Sequence, residues 1–370
     1  MPPFHAMAMG RAATELEASG RAILHLEVGQ PSTPLPRVAA EAVRRSLDSP
    51  LGYTNAAGLH RLRSRLATRS VDVDEHRVLI VAGASAGFTL AFLTLFDPGT
   101  SRVGLIEPGY PCYRNVLAAL GIEPVAIPVG PENRWAPTIE QLEAAGDLDG
   151  LVIASPSNPT GTVYDDATLA MIASHCRRRG IAIVADEIYH GITYHGPAAS
   201  ILDHEPDAFV VNSFSKYWSM TGWRVGWVVV PDALVDIVER LQQNVYICAP
   251  HVSQVAALAA LDAHDELDGH VERYRANRSL LIGGLAAAGI ADIAPADGAF
   301  YVYAHVPHLT TGIGIDSLGL GRRWLHELGV AATAGVDFDL QRGHEYMRFS
   351  YAGRGDDIGR ACELLASWRP

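Results

Sequence analysis

The sequence predicts a layered α/β fold in which a mostly parallel sheet is covered by helices on both faces. Three patterns lead there. Short runs rich in β-branched residues are apolar at nearly every position, and longer helix-patterned stretches separate them. Residues able to do chemistry stand just past the carboxyl ends of those runs. A strand that is apolar on both faces has to be buried on both, which alternating helical crossovers achieve and a half-exposed sheet does not.

In chain order, strands are expected at 78–81, 103–106, 151–154, 181–185, 209–212 and 225–230. Helices are expected between them, at 86–96, 166–179 and 232–243. Glu107-Pro108 follows the second strand, Ser155-Pro156 the third, Asp186 the fourth and Ser213 the fifth. Ligands collect at this carboxyl edge of an open α/β sheet, so the site is expected there. A long helical pattern at 264–288 leads into a second mixed region containing F-Y-V-Y (300–303) and M-R-F-S (347–350). The expected division is a large domain over 46–275 and a smaller α/β domain built from 1–45 and 276–370.

Composition narrows the class of function. A chain that is 48% hydrophobic and 19% charged is globular in character, and a net charge of −12 opposes a nucleic-acid or anionic-membrane partner. Residues 1–10 lack a cationic start followed by an apolar run, so no signal peptide is expected. The longest apolar stretches are too short to cross a bilayer. Cys112, Cys176, Cys248 and Cys362 are scattered, which reads as reduced thiols in a cytoplasmic protein. The histidines form no H-x-x-x-H pair, so no metal site is expected. His190 and His195 are expected to pack rather than to line a site, and Arg177 to Arg179 to end a helix as a solvated face.

One residue carries the chemistry. Lys216 is the only lysine in the chain, in S-F-S-K-Y-W-S-M-T-G-W-R, while arginine fills every other basic position outside histidine. Arginine serves surface charge equally well, but a guanidinium cannot lose its proton near neutral pH. An amine can, and it can then attack a carbonyl to form a Schiff base.

The surrounding motifs are L-E-V-G-Q-P, Y-T-N-A-A-G-L-H-R-L-R, A-G-A-S-A-G-F, E-P-G-Y-P-C-Y, S-P-S-N-P-T-G-T, D-E-I-Y-H-G, S-F-S-K with an arginine eight residues on, and M-R-F-S-Y-A. In this order and spacing the chain resembles the fold-type I pyridoxal-phosphate enzymes, specifically the class I/II aminotransferases related to aspartate aminotransferase. The resemblance covers about residues 26–352 and implies a seven-stranded, mostly parallel sheet in the large domain.

The resemblance also implies roles. Lys216 matches the lysine that holds pyridoxal 5′-phosphate as a Schiff base and then shuttles the Cα proton. Asp186 matches the carboxylate that keeps the pyridine nitrogen protonated. Ser213 and Arg224 match ligands of the cofactor phosphate, together with backbone N–H groups of Ala84 and Ser85 at a helix start. Tyr110 matches the aromatic that stacks on the pyridine ring, and Asn158 and Tyr189 the pair that bonds its phenolic oxygen. Arg348 matches the clamp on the substrate α-carboxylate, with Gly29 bringing backbone to the same group and Asn158 beside it. Tyr53 matches a tyrosine that reaches the phosphate of the neighbouring subunit, which implies a homodimer with shared active sites. Glu107-Pro108 and Asn158-Pro159 are expected to be cis.

The function expected from this pattern is transfer of an amino group from an L-amino acid to a 2-oxo acid with ping-pong kinetics. A β-lyase acting on cysteine-type substrates is the alternative on the same scaffold. A DNA-binding regulator carrying such a domain is disfavoured by the acidic charge and by a family-like region that begins near residue 26. A nucleotide-dependent dehydrogenase is disfavoured because no G-x-G-x-x-G follows a first strand. No cation for a distal substrate carboxylate can be assigned from the sequence, and Tyr53, Tyr110, Phe300 and Tyr301 are candidates for lining an apolar or aromatic pocket.

Overall fold

The computed structural model describes residues 3–69, 73–311 and 314–369. Its twelve strands are β1 (Leu24–His25), β2 (Val78–Val81), β3 (Arg102–Glu107), β4 (Glu123–Pro128), β5 (Gly150–Ala154), β6 (Ala182–Asp186), β7 (Phe209–Ser213), β8 (Gly226–Val229), β9 (Tyr301–His305), β10 (Val330–Ala331), β11 (Thr333–Ala334) and β12 (Tyr346–Ser350). Seven of them form one sheet in the order β2-β8-β7-β6-β5-β3-β4. All its contacts are parallel except those of β8, which runs antiparallel to both β2 and β7.

All six strands expected in this sheet are present, and the apolar runs are buried as the pattern required: every residue of β2, β7 and β8 is buried. The seventh strand, β4 (E-P-V-A-I-P), escapes the residue pattern because two prolines bracket it. It pairs only with β3 at the sheet edge, the one place where a strand tolerates residues without an N–H.

The helices between strands follow local signals. Asp165 caps the helix Asp166–Arg179 by accepting from Thr168 N at 2.8 Å, and Gly180, at φ 67°, ends it after three arginines. The 24-residue helix His264–Ala287 packs on the C-terminal helix Gly355–Ser367. Asn277 on its inner face donates to the carbonyls of Tyr351 and Gly353, both at 3.0 Å.

A second sheet, in the order β11-β12-β9, is antiparallel throughout. The N-terminal segment joins this part of the molecule: β1 lies parallel to β10, and the helix His5–Ala18 packs beside β10 and β11. Strand β12 delivers Arg348, and β9 delivers Tyr301, to the edge that faces the carboxyl ends of β5, β6 and β7. Among the described residues three peptide bonds are cis: Glu107-Pro108 and Asn158-Pro159, both expected, and Ser155-Pro156, for which the sequence gives no such expectation. Among the described residues no helix is long and apolar enough to cross a membrane.

Candidate active site

A cavity of about 270 Å³ lies at that edge. Gly29, Ala84, Ser85, Tyr110, Asn158, Asp186, Tyr189, Ser213, Lys216, Arg224 and Arg348 all line it. Tyr53, by contrast, is 82% exposed and lies outside it. Of the other aromatic candidates, Tyr301 lines the cavity and Phe300 is fully buried behind it. His190 and His195 are not among its lining residues. His190 Nδ1 sits 3.5 Å from the Glu187 carboxylate, and His195 is mostly exposed near Asp297.

Lys216 sits in the turn after β7, and its Nζ donates to the Gly29 carbonyl at 2.9 Å. The rings of Tyr189 and Phe300 flank the amine, with centroids at 5.7 and 5.9 Å. Burial pushes the amine's pKa down to about 8, assisted by the nearby Arg348 and Arg224 and opposed by Asp186. A lysine in this state spends an appreciable fraction of its time neutral near physiological pH, as a nucleophile must.

Asp186, at the end of β6, is 4% exposed. Burial raises its pKa to about 6, while bonds from the Tyr113 hydroxyl and the Ile188 N–H (3.0 Å) hold it from going higher. Tyr113 is the functional neighbour that sequence reasoning missed. It stands in the same E-P-G-Y-P-C-Y motif as Tyr110, three residues on in the helix Pro111–Ala119. The two rings meet edge-on at 5.6 Å. Because the Tyr113 bond favours the ionised carboxylate, Tyr113→Phe is expected to make Asp186 easier to protonate. A ligand that needs this carboxylate charged should then bind roughly tenfold more weakly at pH 6, with a smaller loss at pH 8. Titrations of cofactor binding at the two pH values check this.

The anion end of the cavity is built on backbone. Gly83, at φ 83°, caps the helix Ala84–Leu95, whose first residues, Ala84 and Ser85, line the cavity. A Cβ on Gly83 would stand 2.4 Å from Arg224 Nη2, so only glycine lets the guanidinium reach this helix start. Arg224 itself has left-handed backbone (φ 49°), an uncommon state for arginine, and its Nη1 donates to Thr221 O at 3.1 Å. Ser213 Oγ, nearby, accepts from Ser215 N at 3.0 Å.

The opposite end is organised around Arg348, which is 4% exposed. Its guanidinium lies between the rings of Tyr301 and Phe338, at 4.4 and 4.7 Å. Nη1 donates to Asn158 Oδ1 at 2.9 Å and Nη2 to the Glu27 carbonyl and, at 3.4 Å, to Thr333 Oγ1, whereas Nε is buried with no partner among the described residues. Held on both faces and short of acceptors, it is pre-organised to receive a carboxylate. Tyr301 also shares a 2.7 Å hydroxyl–hydroxyl bond with Tyr189, and a Cβ on Gly29 would fall 1.6 Å from the Tyr301 oxygen. Glycine is therefore required where this strap crosses the site.

A further wall was not foreseen. Phe4, Ala6 and Met7, at the start of the N-terminal helix, line the cavity, and Phe4 meets Tyr110 edge-on at 6.0 Å. The arrangement brings an amine with a lowered pKa, a buried carboxylate, a helix start with a guanidinium beside it and the buried guanidinium of Arg348 into one enclosure.

Comparison with known proteins gives the same class. The chain belongs to the aminotransferase class I and II family, a family of transaminases, whose model matches residues 21–365. It is 44% identical to a valine–pyruvate aminotransferase of Mycobacterium tuberculosis, covering 100% of this chain and 97% of that protein. A crystal structure of an aminotransferase from Mycobacterium tuberculosis superposes with a TM-score of 0.95 at 43% identity, covering 100% of this chain and 97% of the other. Aspartate aminotransferase from Thermus thermophilus, solved with maleate, superposes with a TM-score of 0.91 at 30% identity, covering 99% and 97%. The fold is that of fold-type I, aspartate aminotransferase-like enzymes, as expected.

Proposed function

We propose that the chain is a pyridoxal 5′-phosphate-dependent aminotransferase that moves the amino group of a neutral L-amino acid to a 2-oxo acid. The observation that carries this reading is the meeting of Lys216, Asp186 and Arg348 in one cavity beside the anion seat at Gly83. The residues present fit the cofactor. The Gly83 cradle, Arg224, Ser213 and the Ala84 and Ser85 N–H groups suit its phosphate, and Asp186 suits its ring nitrogen.

When bound, pyridoxal phosphate supplies an aldehyde that condenses with amines and a ring that accepts an electron pair. The protein does the rest. Tyr110 offers a flat apolar face to the ring, and Asn158 and Tyr189 serve its phenolic oxygen. Asp186, kept ionised by Tyr113 and Ile188, holds a proton on the ring nitrogen. Arg348 takes the substrate α-carboxylate in a bidentate pair, with the Gly29 backbone and the Asn158 side chain beside it, and so orients the Cα–H bond. Lys216, once free as a neutral amine, takes and returns the Cα proton.

Two features support a neutral substrate. The wall formed by Phe4, Ala6 and Met7 is apolar. Lys216, Arg224 and Arg348, the cations among the described lining residues, each already have an assigned partner. The relative named valine–pyruvate aminotransferase agrees with this preference. We read the enzyme as a cytoplasmic homodimer with ping-pong kinetics. The exposed ring of Tyr53, outside its own cavity, is in keeping with a reach toward a neighbour's phosphate.

Mixing the yellow holoenzyme with single amino acids tests the reaction. Valine or alanine should bleach it and release one equivalent of 2-oxo acid without an acceptor, and aspartate or glutamate should react at least about tenfold more slowly. Continuous release of pyruvate and ammonia from cysteine-type substrates would replace this reading with the β-lyase. Arg348→Lys keeps the charge but loses the fork, so KM should rise by about tenfold or more for all amino donors. Steady-state kinetics across several donors check this, and an unchanged KM would remove Arg348 from the site.

A further inference from the structure

Two backbone N–H groups at the start of the N-terminal helix point into one carboxylate. Asp337 Oδ1 accepts from His5 N at 2.8 Å, and Oδ2 accepts from Ala6 N at 2.6 Å. Phe4, the helix's own cap residue, makes no side-chain bond to this turn. Asp337 is 2% exposed and stands 332 residues away from His5 in the chain. A buried carboxylate needs donors and a helix's first turn needs acceptors, so each satisfies the other.

The same stretch of chain reaches two other parts of the site. The Asp337 carbonyl accepts from Arg114 Nη2 at 3.0 Å, and Arg114 also pairs with Glu107 at 3.1 Å. The Phe338 carbonyl accepts from Gly109 N at 2.9 Å, next to Tyr110, and the Phe338 ring lies against Arg348. Residues 337 and 338 thus connect the N-terminal helix, the loop bearing Tyr110 and the guanidinium of Arg348.

We propose that Asp337 is a positioning residue for the substrate end of the cavity, fixing the first helical turn so that Phe4, Ala6 and Met7 wall it. This rests on the reading of the cavity as an amino-acid site. Asp337 is not among the residues lining that cavity and acts through the backbone of His5 and Ala6. Without the tie, the wall would have to be ordered anew each time a substrate binds. That cost falls equally on bound substrate and transition state, so KM rises while kcat stays nearly constant.

The test compares full-length holoenzymes: wild type, Asp337→Asn and His5→Pro. Asp337→Asn keeps the shape but sets an NH₂ group against a backbone N–H. His5→Pro removes one donor from the helix side, at a first-turn position where proline is well tolerated. Phe4 before it is already extended (φ −97°, ψ 97°), as a residue preceding proline prefers.

Both variants should raise KM for the amino donor about tenfold and leave kcat within about threefold. Amide hydrogen exchange over residues 6–10 should quicken, with β5 and β6 unaffected. If Asp337→Asn fails to fold, His5→Pro decides alone. Unchanged KM with unchanged exchange overturns the proposal, and so does a loss of kcat at constant KM. A wild-type enzyme that reacts with no amino acid would instead overturn the functional reading, and the exchange data would still show whether the tie holds the helix.

Discussion

Lys216→Met should abolish turnover, lowering kcat by at least about 10³-fold, while leaving the fold intact and more stable in its cofactor-free form. The activity loss follows from the composition as much as from the geometry: with no other lysine in the chain, no neighbouring amine can substitute. The stability gain follows from burial. The folded-state pKa of Lys216 is about 8, below the ordinary 10.5, so the fold binds this proton less readily than the unfolded chain does. The resulting penalty is present below pH 8, shrinks as pH rises, and is gone above about pH 10.5. Methionine fills the same space without the charge. At pH 7 its gain has a ceiling on the order of 3 kcal/mol, reduced by the loss of Lys216 as a counter-ion for Asp186. Thermal melts of cofactor-free protein at pH 7 and pH 10 should show the variant ahead at the first, with most of that lead gone at the second. A variant less stable at pH 7 would contradict the burial argument.

Asp186→Asn should cost on the order of 10²–10³-fold in kcat, because an amide of the same shape cannot hold a proton on a ring nitrogen by charge. The Ile188 N–H would still find the amide oxygen, and the Tyr113 hydroxyl can turn to accept from the new NH₂ group, so side-chain placement should survive. Burial raises the carboxyl pKa from its ordinary 3.8 to about 6, so in the cofactor-free fold its charge is a liability that grows as pH rises from about 4 to 6 and keeps its full size above that. Asparagine removes that liability. The variant should therefore gain stability over wild type at pH 8 and little or none at pH 4. Full activity in the variant would end Asp186's assignment to the cofactor ring.

Most of this site was legible in the chain because its chemistry follows strands. Asp186 and Ser213 end apolar strands, and Lys216 and Asn158 stand in the turns just beyond such strands, so naming the strands places them on one edge. The motif around Arg224 carried no local sign of its left-handed backbone, yet its distance from Lys216 was enough to place it. What escaped depends on distant partners. The bond from Tyr113 to Asp186 joins two motifs far apart in sequence, and nothing in a tyrosine indicates which acid it will meet. The N-terminal helix is mostly alanine and methionine among its apolar residues, of which only Ala6, Met9 and Ala13 are buried, and its anchor is Asp337. Strand β4 was hidden by the prolines that an edge position permits. Tyr53 was placed by motif alone, and one chain gives it no partner in the cavity.

The most direct measurement is chemical. Borohydride reduction of cofactor-loaded enzyme, followed by peptide mapping, should fix a single pyridoxyl group on the ε-nitrogen of Lys216. Cofactor that washes away after reduction, or a pyridoxyl group recovered only on the N-terminal amine, would contradict the account.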